Sequence, residues 1–438
     1  MFSTRKIAGV SLALAIALAG CSSGGDSASD STDSGSSSEG SSSAAPSGEV
    51  EVFSWWASGG EAEGLAALVG AFEEQCPDVE FVNATVAGGA GFNAKAVLVS
   101  RLESGQPPDS FQAHAGKELL SYIEAGQLEP INFIYEEAGL YDAFPADLIE
   151  QVTYTDGNIY SVPVNIHRSN LIWWNPATAE SLGITPPTTM DELFAALDTV
   201  KAAGATGLAL ATAWAQVHLL ESVLLSTLGV DDYNKLHIKG EGEEVWASAK
   251  TTEALEAYAR LLSYANEDAD AIDWAPAAQL VLDGQAGFTV MGDWSDAQFL
   301  SQGLTPNVDY AWAPFPGTAG VYMWLSDSFT LAKNAPNRDA SICWLKAAGS
   351  QAGQDAFNPK KGSIPARTDS DEALYGEYLQ TALADWKVDS LAGSFAHGAV
   401  ATNAAQSELQ AVVSEFKANG ATDIAGFQTK LAAAALAE

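Results

Sequence analysis

Basic residues, cysteines and long apolar runs are all scarce in this sequence of 438 residues. Lys and Arg number 20 against 56 Asp and Glu, so the formal net charge is −36. Nucleic acid is therefore excluded as an expected partner, because phosphate binding needs patches of Lys and Arg. The one apolar run near the start is too short to cross a bilayer as a stable anchor, and the rest of the sequence has no run that is long enough, which excludes a membrane-spanning body.

Two common motifs of phosphate and metal binding are also absent. The Gly-rich segment 87–91 does not fit the pattern GxxxxGK[ST], and Lys95 falls inside the helix predicted after it. We expect this segment to allow close approach of the backbone instead. Neither HxH nor HExxH spacing occurs among the five His residues, so the sequence itself indicates no metal site.

The first 21 residues indicate export. Two basic residues precede the apolar run 7–18, which is too short to anchor the chain in a bilayer. The LAGC motif at residues 18–21 resembles a bacterial lipobox, which implies that Cys21 is lipidated. An ordinary secretory signal with an incidental Cys21 is the alternative. Residues 22–48 are mostly Ser, Gly, Asp and Ala without apolar periodicity, so we predict a flexible tether.

The body begins with a pattern of strand, helix and strand. Residues 50–53 are typical of a buried strand, apolar residues recur at helical spacing after Glu61, and residues 79–82 are typical of a second strand. This βαβ pattern predicts a mostly parallel sheet, in which ligands lie beyond the carboxyl ends of the strands. Trp55, Trp56 and Glu61 occupy that position.

Three further stretches predict crossings between two lobes. They contain the hinge strands, which we place near residues 160–167, 322–330 and 358–366. The predicted boundaries give lobe 1 residues 49–162 and 326–358, and lobe 2 mostly residues 163–325 and 359–438. Asp327 lies between apolar strand residues, so we expect it to face hydroxyls or a cation.

Cys76 and Cys343 are the two cysteines of the body, and both lie near predicted helices. The exported compartment is oxidising, so a disulfide between them is allowed. Two buried free thiols are the equal alternative.

Six segments resemble family 1 extracellular solute-binding proteins of ABC importers, and most closely the glucose/mannose-binding type. These segments are FSWWASGGEAEGLAAL, VAGGAGFNAKAVL, PDSFQAH, WWNPATAESLGITPPTTMDELFAAL, VLDGQAGFTVMGDWSDAQF and KGSIPAR. The resemblance implies an α/β, two-lobed periplasmic-binding-protein-like fold (type II), with a mostly parallel sheet flanked by helices in each lobe and a ligand cleft between the lobes. It also implies sugar-binding residues at the matching positions: Trp55, Trp56, Glu61, Gln112, His114, His167, Trp274, Asp327, Lys361 and His397.

These residue types suit a sugar chemically. Aromatic rings cover the C–H faces, while carboxylates accept from hydroxyls, Lys donates, and His or Gln can do either. Adjacent strand residues point to opposite faces, so we predict Trp56 as the ligand ring and Trp55 as packing. We expect Trp294 to be a core aromatic and His218 to be structural.

The resemblance implies a small sugar, glucose or a similar hexose, passed to the permease of an ABC importer by a monomeric lipoprotein. It implies no catalysis, cofactor, metal or nucleic acid, and membrane contact only through Cys21. Four alternatives stay open: an oligosaccharide ligand, a secreted glycoside hydrolase, a sensory partner for a kinase, and a metal-binding importer component that uses His114, His167, His397 and Glu61.

Overall fold

The computed structural model describes residues 45–88 and 91–437. Cys21, most of the predicted tether and two residues of the Gly-rich segment lie outside the described residues. Within the described ranges, no helix combines the length and apolar character needed to span a bilayer.

Twelve strands occur in the described ranges. They are β1 Gly48–Phe53, β2 Val79–Asn83, β3 Ser110–His114, β4 Ser161–Pro163, β5 His167–Arg168, β6 Leu171–Trp174, β7 Thr206–Ala209, β8 Ala286–Val290, β9 Ala311–Pro314, β10 Val321–Leu325, β11 Asp327–Leu331 and β12 Ser390–Gly393. They form three sheets, with strand orders β2-β1-β3-β11-β4, β7-β8-β6-β9 and β12-β10-β5.

The sheets are mixed, so the prediction of mostly parallel sheets is wrong in this respect. β1 pairs in parallel with β2 and β3, as the βαβ pattern predicts. β11 enters the same sheet antiparallel to both β3 and β4, and β6 is antiparallel to β8 and β9. The reason is that strands which cross between the lobes arrive from the opposite end of the sheet.

Nineteen α-helices surround these sheets in the described ranges. They are α1 Gly59–Gln75, α2 Phe92–Glu103, α3 Leu120–Glu124, α4 Asn132–Glu137, α5 Leu140–Ala143, α6 Ala146–Val152, α7 Pro176–Ser181, α8 Met190–Ala202, α9 Ala213–Leu228, α10 Val230–Lys235, α11 Gly242–Trp246, α12 Ala249–Leu262, α13 Trp274–Leu282, α14 Trp294–Ser301, α15 Arg338–Gly349, α16 Gln351–Lys361, α17 Glu377–Trp386, α18 Asn403–Ala418 and α19 Ile424–Ala435.

Two hydrophobic cores lie within the described ranges. One contains Leu65, Leu68 and Phe72 of α1, which are buried against the five-stranded sheet. The other is built mainly around α9, which is buried on almost every side, and the four-stranded sheet. The strands of the five-stranded sheet fall in or next to the segments predicted for lobe 1, while the lobe boundaries themselves stay a prediction.

The three predicted crossings lie side by side. Val164 N–H donates to the Asp327 carbonyl at 2.9 Å, and Ile166 and Ile364 exchange backbone hydrogen bonds of 2.7 and 3.0 Å. Asp327 N–H in turn donates to the Asn165 side chain at 2.7 Å. These hydrogen bonds therefore hold three segments that are distant in sequence next to one another.

Small residues allow close approach where α1 and α16 meet α14. A Cβ on Gly60 would lie 2.5 Å from the Ala297 Cβ, and one on Gly362 would lie 2.7 Å from it. Gly362 also has φ +80°, a left-handed conformation that suits Gly at the end of a helix. This close approach holds Lys361, the last residue of α16, near the start of α1.

Cys76 and Cys343 form a disulfide that joins the end of α1 to α15, so of the two alternatives the bridge is the correct one.

Candidate functional site

A cavity of about 90 Å³ lies where the strands of the five-stranded sheet end and the crossings meet. Nine of the ten predicted site residues line it: Trp55, Trp56, Glu61, His114, His167, Trp274, Asp327, Lys361 and His397. Sheet order explains part of this convergence. β1, β3 and β11 are neighbours, and Asp327 at the start of β11 is paired directly with His114 at the end of β3.

Asp327 is buried at the centre of a hydrogen-bond network. Its Oδ1 accepts from Gln112 Nε2 at 2.9 Å, and its Oδ2 accepts from Asn165 Nδ2 at 2.8 Å. His167 Nε2 lies 3.3 Å from the same Oδ2. The expectation that this carboxylate faces hydroxyls or a cation holds in part, because the Lys361 charge acts on it while amide groups and the His167 ring, not hydroxyls, contact it.

Lys361 and Glu61 form the polar wall beside Asp327. Lys361 Nζ is 3.2 Å from Glu61 Oε1 and 3.0 Å from His167 Nε2. His167 Nδ1 forms an ion pair with Asp293, whose other oxygen accepts from the Arg168 backbone N–H at 2.8 Å. Asp293 therefore fixes the orientation of the His167 ring from behind.

The ionisation of this wall follows from burial and neighbouring charges. Burial alone would raise the pKa of Asp327, but the His167 contact and the Lys361 charge outweigh burial and hold the pKa below its ordinary value. Burial and Lys361 lower the pKa of His167, but Asp293 and Asp327 outweigh them and raise it. Burial raises the pKa of Glu61, against the opposing effect of Lys361. The wall thus combines groups that can donate hydrogen bonds with groups that can accept them, which suits a polar ligand.

Gln112 is the exception among the predicted site residues, because it does not line the cavity. Its side chain donates to Asp327 Oδ1, and its Oε1 accepts from the Trp55 backbone N–H at 3.2 Å. Direct contact with a ligand is therefore not supported. The Gln112 side-chain amide instead holds Asp327 and the Trp55 backbone in place.

The two adjacent tryptophans differ in packing. Trp56 is 1 % exposed and contacts Phe329 and Phe357, with ring centroids 5.6 and 5.0 Å apart. Trp55 is 8 % exposed and lies 5.2 Å from the His114 ring. Both line the cavity. The choice of Trp56 as the ligand ring stays a prediction, but the packing favours Trp55 as the more accessible surface.

Sequence reasoning missed two aromatic residues of the cavity wall. Trp214, in the first turn of α9, and Trp294, at the start of α14, both line it. The Trp294 ring is 5.3 Å from His167 and 5.2 Å from His397. Trp294 belongs to the buried core, as expected, and it also lines the cavity. Its position directly after Asp293 at a strand end was the available signal.

His218 is fully buried, and its Nδ1 lies 2.9 Å from His397 Nε2. With Glu221, these two His residues make a group of three potential metal ligands among the described residues. The Glu221 oxygens, however, already accept from Ser394 Oγ and from the backbone N–H groups of residues 395 and 396. The group therefore fits a structural hydrogen-bond network better than a metal site.

Acid should weaken the fold partly through His218, because burial lowers its pKa to about 4 from an ordinary value near 6.5. Between about pH 6.5 and pH 4, the unfolded chain therefore binds a proton at His218 that the native state does not bind. This contribution to stability is present above about pH 6.5 and is lost as the pH falls toward 4. We expect His218→Gln to lose less unfolding free energy than the wild type between pH 7 and pH 5, by about 2 kcal/mol. Urea unfolding at both pH values measures the difference, and equal losses would contradict it.

Comparison with known proteins gives the family. The family described as bacterial extracellular solute-binding protein matches residues 56–355. An ABC transporter extracellular-binding protein of Pyrococcus horikoshii is 37% identical over 374 residues, which cover 84% of this chain and 83% of that protein. The xylose/arabinose-binding protein XacG of Haloferax volcanii is 32% identical over 364 residues, 81% of this chain and 77% of that protein.

The fold has close relatives among solved structures. The bacterial solute receptor AcbH superposes with a TM-score of 0.75 at 18% identity, over 88% of this chain and 98% of that one. The chain belongs to the family of bacterial extracellular solute-binding proteins, as its sequence motifs indicate, and it has the two-lobed α/β fold of such receptors.

Proposed function

We propose that this protein captures one monosaccharide, glucose or a similar hexose, and delivers it to the permease of an ABC importer. The observation that carries the proposal is the cavity itself, where tryptophan rings adjoin a wall of charged and imidazole groups. Rings suit the C–H faces of a sugar and the polar wall suits its hydroxyls. The name of the related xylose/arabinose-binding protein agrees with a small sugar.

The size of the cavity favours a monosaccharide over an oligosaccharide. The cavity of about 90 Å³ is several times larger than the roughly 10–15 Å³ that a single water needs. One pyranose with its hydroxyls fits this space, whereas a chain of several sugars needs more.

Sugar binding would favour closure of the two lobes over the ligand. The cavity wall contains residues of the five-stranded sheet, such as His114 and Asp327, and of α9 and α13 in the other lobe, such as Trp214 and Trp274. A sugar that contacts both sets favours the closed form, and the permease then distinguishes closed from open. No bond is made or broken. Lipidated Cys21 and the tether would hold the protein at the outer face of the cell membrane.

Thermal unfolding with a panel of sugars tests this proposal. A ligand at about 100 times its Kd adds about 2.7 kcal/mol to the unfolding free energy, because it binds only the folded state. We expect at least one hexose to raise the Tm by several degrees, and the matching open-chain hexitol to have little effect. If no monosaccharide raises the Tm, the sugar assignment is wrong. If only oligosaccharides do, the monosaccharide assignment is wrong.

A further inference from the structure

Glu118 is a buried carboxylate directly behind His114, and neither the sequence motifs nor the cavity wall includes it. It lies in a short 3-10 helix, Lys117–Leu119, that follows β3. Glu118 Oε2 is 2.7 Å from His114 Nδ1 and 2.7 Å from Lys95 Nζ. The amide of Gln406, on α18, lies 3.4 Å from the same oxygen. All these partners except His114 lie outside the lining of the cavity.

The charge of Glu118 decides which His114 nitrogen carries the proton. Burial would raise the pKa of Glu118, but the charge of Lys95, with the hydrogen bonds from Lys95 and His114, outweighs burial and lowers it to about 2. An ionised carboxylate only accepts hydrogen bonds. At a distance of 2.7 Å, His114 Nδ1 must therefore carry a hydrogen and donate it to Glu118.

The other nitrogen of His114 is left for the cavity. His114 Nε2 lies 3.8 Å from Asp327 Oδ1, which is beyond hydrogen-bond distance. In the neutral imidazole, a hydrogen on Nδ1 leaves Nε2 as an acceptor. Because His114 lines the cavity, its ring can then accept from a ligand hydroxyl beside the carboxylate of Asp327.

We propose that Glu118 is a positioning residue for ligand binding: it holds His114 as the Nδ1–H tautomer, so that Nε2 accepts a hydrogen bond from a hydroxyl of the sugar. The inference rests on the proposed sugar-binding function. Without Glu118, the ring can place its hydrogen on Nε2 and donate toward Asp327 instead. The cavity would then present a donor where the ligand needs an acceptor.

The fold holds Glu118 tightly enough for this role. Its backbone N–H donates to the Gly398 carbonyl at 3.0 Å, and His114 N–H donates to Glu118 Oε1 at 3.3 Å. A Cβ on Gly398 would lie 2.5 Å from Glu118 Oε2, so the loop packs closely against the carboxylate on this side. Gly398 directly follows His397 in the sequence. The Glu118 carboxylate therefore contacts His114 and also lies beside the loop that carries His397.

A pair of matched variants tests the proposal. K95M/E118Q and K95M/E118L both remove the buried ion pair and keep similar side-chain volumes. Only the Gln variant keeps an oxygen that can accept from His114 Nδ1–H. Replacing both ionic partners together avoids leaving one charge buried alone, so both variants are expected to fold. Thermal unfolding checks that expectation.

Two measurements at pH 8 separate the outcomes. ¹⁵N NMR of the His114 ring should show Nδ1–H in the wild type and in K95M/E118Q, and a shift toward Nε2–H in K95M/E118L. Calorimetric titration with the best hexose of the panel should show about ten-fold weaker binding by the Leu variant than by the Gln variant. Equal tautomers and equal affinities in the two variants would overturn the positioning role. A wild type that shows the Nδ1–H tautomer but binds no sugar would instead overturn the proposed function.

Discussion

Replacing Asp327 by Asn is expected to weaken sugar binding by about 100-fold or more, because it disturbs the centre of the polar wall. Asp327 accepts from Gln112 and Asn165 and lies 3.3 Å from His167 Nε2. An Asn side chain offers one acceptor oxygen and one NH₂ group. Whichever way the amide turns, a donor then faces donors that the carboxylate had satisfied, and Lys361 keeps Glu61 but loses the negative charge of Asp327.

Calorimetric titration with the best hexose measures this loss, and urea unfolding shows whether D327N is folded. Asp339→Asn is the matched control, because Asp339 is an exposed carboxylate in the first turn of α15 and does not line the cavity. We expect D339N to bind like the wild type. A folded D327N whose affinity stays within about three-fold of the wild type would contradict the central place given to Asp327, since three-fold is under 1 kcal/mol.

Removing the disulfide is expected to lower the unfolding free energy by about 2–5 kcal/mol and to leave sugar affinity nearly unchanged. Cys76 and Cys343 are 267 residues apart in sequence, so the bridge closes a very long loop. Cross-links of long loops restrict the unfolded chain most in the chain-entropy account. Neither Cys lines the cavity, although α1 carries Glu61 near its start and Cys76 just after its end.

The double variant C76A/C343A tests this prediction by urea unfolding and sugar titration. The wild type with and without a reductant is the control for effects of the substitutions themselves. Equal stability of the variant and the oxidised wild type would contradict it. A large loss of affinity with intact stability would show that the bridge acts on the site rather than on the fold.

The convergence of the site residues could be predicted from sequence because strand ends are local features. Trp55, His114 and Asp327 each lie next to a strand boundary that alternation and turn residues indicate. The family resemblance added Lys361 and His397, which no local pattern places near the others. Even so, periodicity could not show that Asp327 is paired with His114, since that register depends on β11 returning antiparallel to β3.

Residues that reach the cavity from helices were harder to predict. Trp214 and Trp294 lie in the first turns of α9 and α14, and which face of a helix meets a ligand depends on how the helix packs in the fold. Glu118 was missed for a similar reason, because its partners Lys95 and Gln406 lie on α2 and α18. Gln112 is a different case. Its position on the strand predicts a ligand contact, and in the structure its amide holds Asp327 and the Trp55 backbone.

Native mass spectrometry of the folded protein with the best hexose of the panel tests the central claim most directly. The cavity between Trp55, Asp327 and Lys361 should hold one hexose, so the protein should gain the mass of one hexose and no more, and the sugar should be recovered chemically unchanged. A protein that never gains that mass, or that returns a chemically altered sugar, would contradict the account.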